Sequence, residues 1–530
     1  MTKKNTDIIE KVVNLFDDES PVEEQKQVEA LSNNNVEEPK INNNITKAIH
    51  NKRSTATAKL PENVLSDEPK TKDALELARE NYKEYGLYVS SGRAYPQILD
   101  GAKSSYKRAV YGMWKDAPRS IVKVAELAAT ALPYHPHPTS VAGVIIQLGE
   151  NGNKFKFMKT QGNWGDSNKG IEASAERYIG GMLSDLSLSL LCDSIEYCNY
   201  ITGEIDKPEP EALPTLLPLC FINGQQGIPS GLPKLNIPCL DVADMFDYYI
   251  DILSNKDLSY VPSKLPVPNL NVNVLSTKEE WENILKTGNG GIKIAPIMSF
   301  TDKVITITNL PGSKDFESIR KIVEKEILLD KIDLRDESTY ETRIVIEKVY
   351  KKQCDMKELY NRIYRKLQTT ETYNLAFFDK DHIYVPCSFD KVVKSNLQYL
   401  INTHNNRLSH QLDDNKKKLS VLEIIEKLKK TNNWKDMFDL SYKEAVKYLI
   451  TSFNCENDIA EEVFKKPISY LTKGHEKEIE ELKNIIEDLK TDKSDIYEML
   501  LKKYKNIKPK MLKEMVKNTT AFIRQRRDNK

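Results

Sequence analysis

NKGIEASAERYIGGM, residues 168–182, is the stretch on which the reading of this chain turns, and within it the adjacent pair Arg177–Tyr178. A tyrosine beside a fixed cation is a usable nucleophile for phosphorus, because the guanidinium holds phosphate oxygens while the phenol oxygen attacks. A phenol keeps its proton at neutral pH (pKa about 10), so it must lose that proton as it attacks, and a neighbouring cation lowers the cost. The pair alone decides nothing. The chain has 25 tyrosines, and an ordinary one is a half-buried ring with its hydroxyl bonded to something.

Upstream of the pair, charge segregates. Arg93 to Lys169 holds eleven basic residues against five acidic ones, a surplus of six. Lys103 and Lys107 are four apart, so on a helix from about Lys103 to Trp114 they share one face, with Arg108 beside them. Such a face is either simply solvated or a phosphate-gripping edge. Val122 to Leu132 reads as a second helix, and a third starts near Thr139. Three short helices with basic residues on one side are the make-up of a helix-turn-helix or winged-helix reader. His135 and His137 flank Pro136, and no third nitrogen or thiolate follows at zinc-like spacing, so no metal is expected there. Two readings of these histidines stand: donors to a phosphate, or structural caps of the next helix. Lys154-Phe-Lys-Phe-Met-Lys alternates as a strand with one cationic face would, and Thr160 to Asp166 is a turn-rich loop leading to Arg177–Tyr178.

Composition bounds the rest. With 530 residues there is room for about three or four structural units, and 39% hydrophobic with 29% charged residues is ordinary for a soluble chain. No apolar run approaches the roughly 18 residues of a membrane span, and MTKKNTDIIEKVV lacks the apolar segment of a secretory signal, so a cytoplasmic protein with no membrane contact is expected. The seven cysteines form no CxxC pair, which argues against a disulfide framework or a zinc site. Basic and acidic residues balance at 78 each, so any DNA site must come from local charge rather than net charge.

Residues 1–70 carry Asn clusters and few aromatics and read as a disordered arm, with a short helix over Asp7 to Phe16 as the alternative. Thr71 to Tyr85 reads as a helix stopped by Gly86. Residues 221–385 mix strands (Val304 to Thr308, Arg343 to Glu347) with helices (Glu279 to Lys286, Phe316 to Glu326). Ile228 follows Gly227 in a loop, where it either closes a local sheet or stands free. From Lys391 the chain turns helical. Ile479, Leu482, Ile486, Leu489, Ile496 and Leu500 make a heptad stripe that can pair with a long helix from about Asp390 to Lys430, with a small globule between them. Residues 506–530 read as a basic tail.

Five motifs in order, GRAYPQILDGAKSSYKRAVYGM, YHPHPTS, TQGNWGD, ERYIGGML and FINGQQGIPSG, resemble the DNA-breakage subunit of type IIA topoisomerases, the gyrase A family. KIDLRDESTYETRIVIE and ISYLTKGHEKEIEELKNIIEDLK extend the likeness, so that about 430 of the 530 residues are covered. Within the family, the size and the stop soon after the second long helix look most like the medium subunit of T-even phage topoisomerases.

The resemblance implies an α+β multidomain fold: a winged-helix DNA gate with the catalytic tyrosine over residues 71–220, an α/β tower over 221–385, and an antiparallel coiled coil with a dimerising exit gate over 386–505. It makes Tyr178 the nucleophile of a 5'-phosphotyrosyl bond and Arg177 its partner. It puts Arg93 and His135 near the scissile phosphate, and Lys103, Lys107, Arg108 and His137 on the DNA backbone. His135 is either a general base or only a hydrogen-bond donor. Ile228 becomes a wedge between base pairs. The implied partners are double-stranded DNA, an ATPase subunit with a metal-binding (TOPRIM) part that holds ATP and most of the Mg²⁺, and a second copy of the chain, giving a heterotetramer or larger assembly. The tail is too short for a DNA-wrapping β-pinwheel, so ATP-dependent relaxation and decatenation are expected. The chain departs from the family where Gly-Asp usually follows the second histidine (here Pro138–Thr139) and where His-Arg becomes Tyr106–Lys107. Lysine keeps that charge but loses the bidentate fork. Two other classes fit parts of the sequence: a non-catalytic DNA-binding protein with a coiled-coil dimerisation arm, and a structural coiled-coil scaffold.

Overall fold

The computed structural model describes residues 73–528 apart from 168–169, 204, 313, 326–330, 339–341, 350–353, 380–382, 432–439, 468 and 473. The arm expected over 1–70, with its alternative helix, lies outside the described residues. The first described helix, α1, is Ala74–Val89. It runs through Gly86 instead of stopping there, because Gly86 does not take the left-handed conformation of a helix C-cap; it is buried beside Ser230 within the helix. Leu75, Tyr82 and Tyr85 on the same helix are exposed.

A turn of π-helix, Ser90–Ala94, leads to three mutually packed helices: α2 (Ser104–Asp116), α3 (Val124–Ala131) and α4 (Pro138–Gly149). The α2–α3 crossing needs a glycine, since a Cβ at Gly112 would sit 2.6 Å from the Thr130 carbonyl oxygen. β1 (Val122–Lys123), β2 (Met158–Gln161) and β3 (Gly180–Leu183) form an antiparallel sheet in the order β1-β3-β2. The helix expected over Val122 to Leu132 is therefore split. Val122 and Lys123 stay extended because they pair with Gly181 and Gly180, and helix begins only at Val124. The cationic strand expected from Lys154 likewise starts only at Met158. Its alternation survives as burial, with Phe155 and Phe157 inside while Lys154 and Lys156 bind the side chains of Asn271 and Asn151.

After α5 (Asp185–Leu191) comes a hairpin, β4 (Tyr200–Thr202) with β5 (Pro208–Pro210). β6 (Gln225–Gly227) and β7 (Leu235–Ile237) open a five-stranded antiparallel sheet completed by Thr369–Asn374, Asn289–Ala295 and Asn273–Val274. A separate four-stranded antiparallel sheet, Ile297–Phe300, Val304–Asn309, Ile344–Lys348 and Ile332–Asp336 in spatial order, packs with helices Phe316–Lys325 and Met356–Leu367. Ile305, Ile307, Ile319, Ile346 and Ile363 form its own core.

The main core is clamped from the other side by α6 (Val242–Asn255) and by the start of α7 (Phe389–Thr431), a helix of 43 residues. Asn396 on α7 is fully buried and fully used: its amide donates to the Leu99 and Thr215 carbonyls at 2.7 and 3.1 Å, and its oxygen accepts from Tyr249 on α6 at 2.8 Å. The far half of α7 packs against α8 (Glu476–Ser494), and Val421, Ile425, Leu449 and Ala460 close a small core there, with Ile479 and Leu482 packed on it. The heptad stripe does not lie on one helix. Asp495 interrupts it by accepting the Glu498 N–H at 3.1 Å, a local capping bond that competes with helix continuation, and α9 (Ile496–Asp528) starts afresh. The expected tail is also corrected: α9 continues past residue 505 and lays Tyr504, Ile507 and Met511 into the main core. Tyr504 stacks on Tyr249 with ring centroids 5.3 Å apart, and its hydroxyl donates to the Leu216 carbonyl. Among the described residues no helix is long and apolar enough to cross a membrane.

Candidate nucleic-acid interface

The candidate residues fall into two groups. The first gathers around the π-turn. Arg93 is exposed, with its guanidinium 5.6 Å from the Tyr88 ring centroid and Nη2 3.4 Å from His137 Nε2. The His135 and His137 rings meet edge to face at 4.9 Å, and the backbone turns tightly across Pro136, the His137 N–H donating to the His135 carbonyl at 2.8 Å. His135 is only 3% exposed, so it is His137 that lies nearer the surface. Lys103 Nζ donates to the Gln226 carbonyl at 2.6 Å, which ties α2 to β6. Burial lowers the Lys103 pKa to about 8. β6 leans directly on the π-turn, where a Cβ at Gly227 would lie 2.1 Å from the Ala94 carbonyl oxygen. The next residue, Ile228, is 83% exposed. It does not close a sheet.

Lys107 and Arg108 do not join the outer face. Lys103 is the extended N-cap residue of α2, with ψ 151°, so helical spacing does not align it with Lys107. Lys107 is buried, with Nζ 3.1 Å from Glu209 Oε1, and Arg108 Nε lies 2.9 Å from Glu209 Oε2. Both side chains, expected on the DNA backbone, bear on this one carboxylate in the free chain. Arg108 Nη1 approaches His135 Nδ1 at 3.5 Å.

The second group sits where the chain enters β3. Tyr178 is 64% exposed, and the Arg177 guanidinium carbon lies 4.8 Å from its ring centroid. The Tyr178 N–H donates to the Ala175 carbonyl at 2.8 Å, closing a turn, and Lys123 Nζ donates to the Tyr178 carbonyl at 3.3 Å. The loop ahead of the turn is anchored by Trp164, which is fully buried with Nε1 bonded to the Gln161 carbonyl at 3.2 Å. Asn163 braces it by taking the Gly165 N–H at 3.0 Å and donating to the Glu172 carbonyl at 3.2 Å. Lys123 precedes α3 and His135 follows it, so the two groups stand at opposite ends of that eight-residue helix, about 12 Å at 1.5 Å per residue.

Sequence reasoning misses Lys123, Trp164 and Glu209. Lys123 is placed by its pairing with Gly180 and Glu209 by its buried cations, neither of which leaves a local sequence signal; Trp164 lies in a motif whose turn residues spell only a loop. Among the described residues no group of three or more His, Cys, Asp or Glu side chains is placed to hold a metal ion.

A family model for the A subunit of DNA gyrase/topoisomerase IV matches residues 93–516. The A subunit of DNA topoisomerase 4 from Pseudomonas aeruginosa is 27% identical over 355 residues, covering 63% of this chain and 47% of the relative. Its counterpart from Salmonella typhimurium is 24% identical over 438 residues, covering 76% of this chain and 56% of the relative. The A subunit of DNA gyrase from Clostridium acetobutylicum is 26% identical over 317 residues, covering 56% and 38%. The chain thus spans about half the length of the curated relatives it matches. With the matched segment running from the π-turn arginine to the helix that closes the core, the chain belongs to the family of DNA gyrase/topoisomerase IV A subunits.

Proposed function

We propose that this chain is the DNA-cleaving and rejoining subunit of an ATP-dependent type IIA topoisomerase. The observation that carries the reading is the exposed Tyr178 side chain, with the Arg177 guanidinium over its ring, on a braced turn. In the proposed step Tyr178 Oη attacks the phosphorus, the bond to the deoxyribose O3' breaks, and the phenol proton leaves as the 3'-hydroxyl forms. A 5'-phosphotyrosyl link results. It keeps the energy of the broken phosphodiester, so the reverse attack reseals the strand without a nucleotide. Arg177 holds the phosphate oxygens as charge accumulates on them.

The three packed helices and the β1-β3-β2 sheet support a winged-helix DNA gate, with Arg93, His137 and Lys103 as its cationic edge and Ile228 as the wedge that bends the duplex. Because the two groups stand at opposite ends of α3, duplex DNA or a second copy of the chain is what brings both to bear on one scissile region. The α7–α8 pairing supports an antiparallel coiled coil whose far globule forms the dimer exit gate. Among the described residues no cluster of three or more His, Cys, Asp or Glu side chains is placed to hold a Mg²⁺ ion. The magnesium and the ATP are assigned to an ATPase/TOPRIM partner, with two copies of each polypeptide in the assembly. The T-even phage subgroup belongs to this proposal and rests on the resemblance alone. The test is to mix the chain with such a partner, Mg²⁺, ATP and supercoiled plasmid. Relaxation that requires every component supports the proposal; DNA binding with no strand passage and no covalent adduct contradicts it.

A further inference from the structure

Glu209 is about a hundred residues from its partners (102 from Lys107, 101 from Arg108), yet its carboxylate lies beneath the π-turn group. It is 2% exposed and held in β5 between Pro208 and Pro210, opposite Ile201 of β4. Prolines on both sides fix the backbone there. Its Oε1 accepts from Lys107 Nζ at 3.1 Å and from Arg108 Nε at 3.2 Å, and Oε2 accepts from Arg108 Nε at 2.9 Å. With Nε seated on both oxygens, the guanidinium has little rotational freedom, and Nη1 faces His135 Nδ1 at 3.5 Å. Arginine has donors and no acceptor. The contact with His135 Nδ1 is therefore favourable only when that nitrogen carries the lone pair.

We propose that Glu209 is a positioning residue: by orienting Arg108 it favours His135 as the Nε2–H tautomer, so that this buried ring, behind the more exposed His137, acts as a hydrogen-bond donor and not as a general base. The relation to His137 is complementary. Arg93 Nη2 lies 3.4 Å from His137 Nε2, a contact that favours the lone pair on that nitrogen. The two rings meet edge to face, and each is read by a different arginine through a different nitrogen. Lys107, standing where the family usually has arginine, supplies the second cation that a buried carboxylate needs if it is to keep its charge while gripping Arg108. This inference rests on the proposed DNA-cleaving function for its consequence, though not for its geometry.

Two measurements separate them. In the full chain labelled with ring-¹⁵N histidine, seven histidines give a sparse spectrum, and the signal lost in His135→Gln is that of His135. The wild type is expected to show Nδ1 unprotonated and Nε2 protonated, and Glu209→Gln to show a mixture of tautomers. In the holoenzyme with DNA, Mg²⁺ and the ATPase partner, Glu209→Gln is expected to slow cleavage on the order of ten-fold, the scale of losing an orienting outer contact, with the DNA KM little changed. Lys107→Met/Glu209→Gln removes one buried charge of each sign. With Arg108 left facing a neutral amide it is expected to unfold below the wild-type temperature but, held well below that point with its circular dichroism intact, to show both the tautomer mixture and the slow cleavage, so that misfolding is excluded as the cause. Nδ1 protonated in the wild type, an unchanged tautomer in Glu209→Gln, or full cleavage by the double variant would each overturn the proposal. A wild type with the expected tautomer and no cleavage under any condition overturns the DNA-cleaving reading, and with it the positioning role.

Discussion

Replacing Ile228 with alanine separates a residue of the fold from a residue of the interface. The side chain is 83% exposed at the start of the β6–β7 loop, so the carbons it loses are already in water. Folding stability is then expected to move by no more than about 0.5 kcal/mol. If the same side chain is driven between base pairs on binding, the three carbons removed leave water at about 0.8 kcal/mol each. The loss of about 2.4 kcal/mol corresponds to roughly a fifty-fold drop in affinity for bent duplex, at 1.4 kcal/mol per decade. The bend should suffer too, because unstacking a base step costs a few kcal/mol and needs a wedge to offset it. Energy transfer between dyes on the two ends of a short duplex reads the bend, a titration reads affinity, and calorimetry reads the unfolding temperature. The expected result for Ile228→Ala is an unchanged unfolding temperature, a straighter duplex and weaker binding. A fall of several degrees with the bend intact would refute the reasoning and return Ile228 to the core.

Lys103 should make DNA binding depend on pH. Its pKa is lowered to about 8 by burial, and contact with phosphate favours the ammonium, so binding takes up a proton above that pH. Affinity should be flat below pH 8 and fall as pH rises through it, and Lys103→Arg should abolish the dependence; an unchanged profile in that variant would remove Lys103 from the interface. Met511→Ala tests whether this part of α9 belongs to the core: Met511 is fully buried, so a loss of about 2–5 kcal/mol is expected in denaturant unfolding, and a loss near zero would place that stretch outside the core. Gly227→Ala puts a Cβ 2.1 Å from the Ala94 carbonyl oxygen, which should cost about 1–3 kcal/mol and shift Arg93; if neither stability nor DNA affinity changes, β6 does not brace the π-turn.

Helix ends are legible in the sequence where apolar period and punctuation agree, as for α7, expected from Asp390 to Lys430 and observed as Phe389–Thr431. They are illegible where a distant partner overrides a local signal. Gly86 looks like a stop, and stays inside the helix with an ordinary helical backbone, buried beside Ser230. Asp495 looks like one more polar heptad position, and becomes a cap that breaks the stripe. Val122 and Lys123 carry helical periodicity and are drawn into a sheet by Gly180 and Gly181, nearly sixty residues on. For the candidate site, the pair Arg177–Tyr178 and the free Ile228 are visible from residue type and loop context. Spacing alone misreads Lys107, since it says which residues share a helical face but neither which face meets water nor that Lys103 is a cap outside the helix. The Glu209 contact has no local trace at all.

The measurement that bears most directly on the account is recovery of protein covalently joined to DNA. The chain, wild type or Tyr178→Phe, is incubated with an ATPase/TOPRIM partner, Mg²⁺ and end-labelled duplex, then denatured and digested. The account predicts label on a peptide containing Tyr178, joined through the 5' end of the broken strand, and none with Tyr178→Phe. Equal labelling of both variants, or a link at another residue, would contradict it.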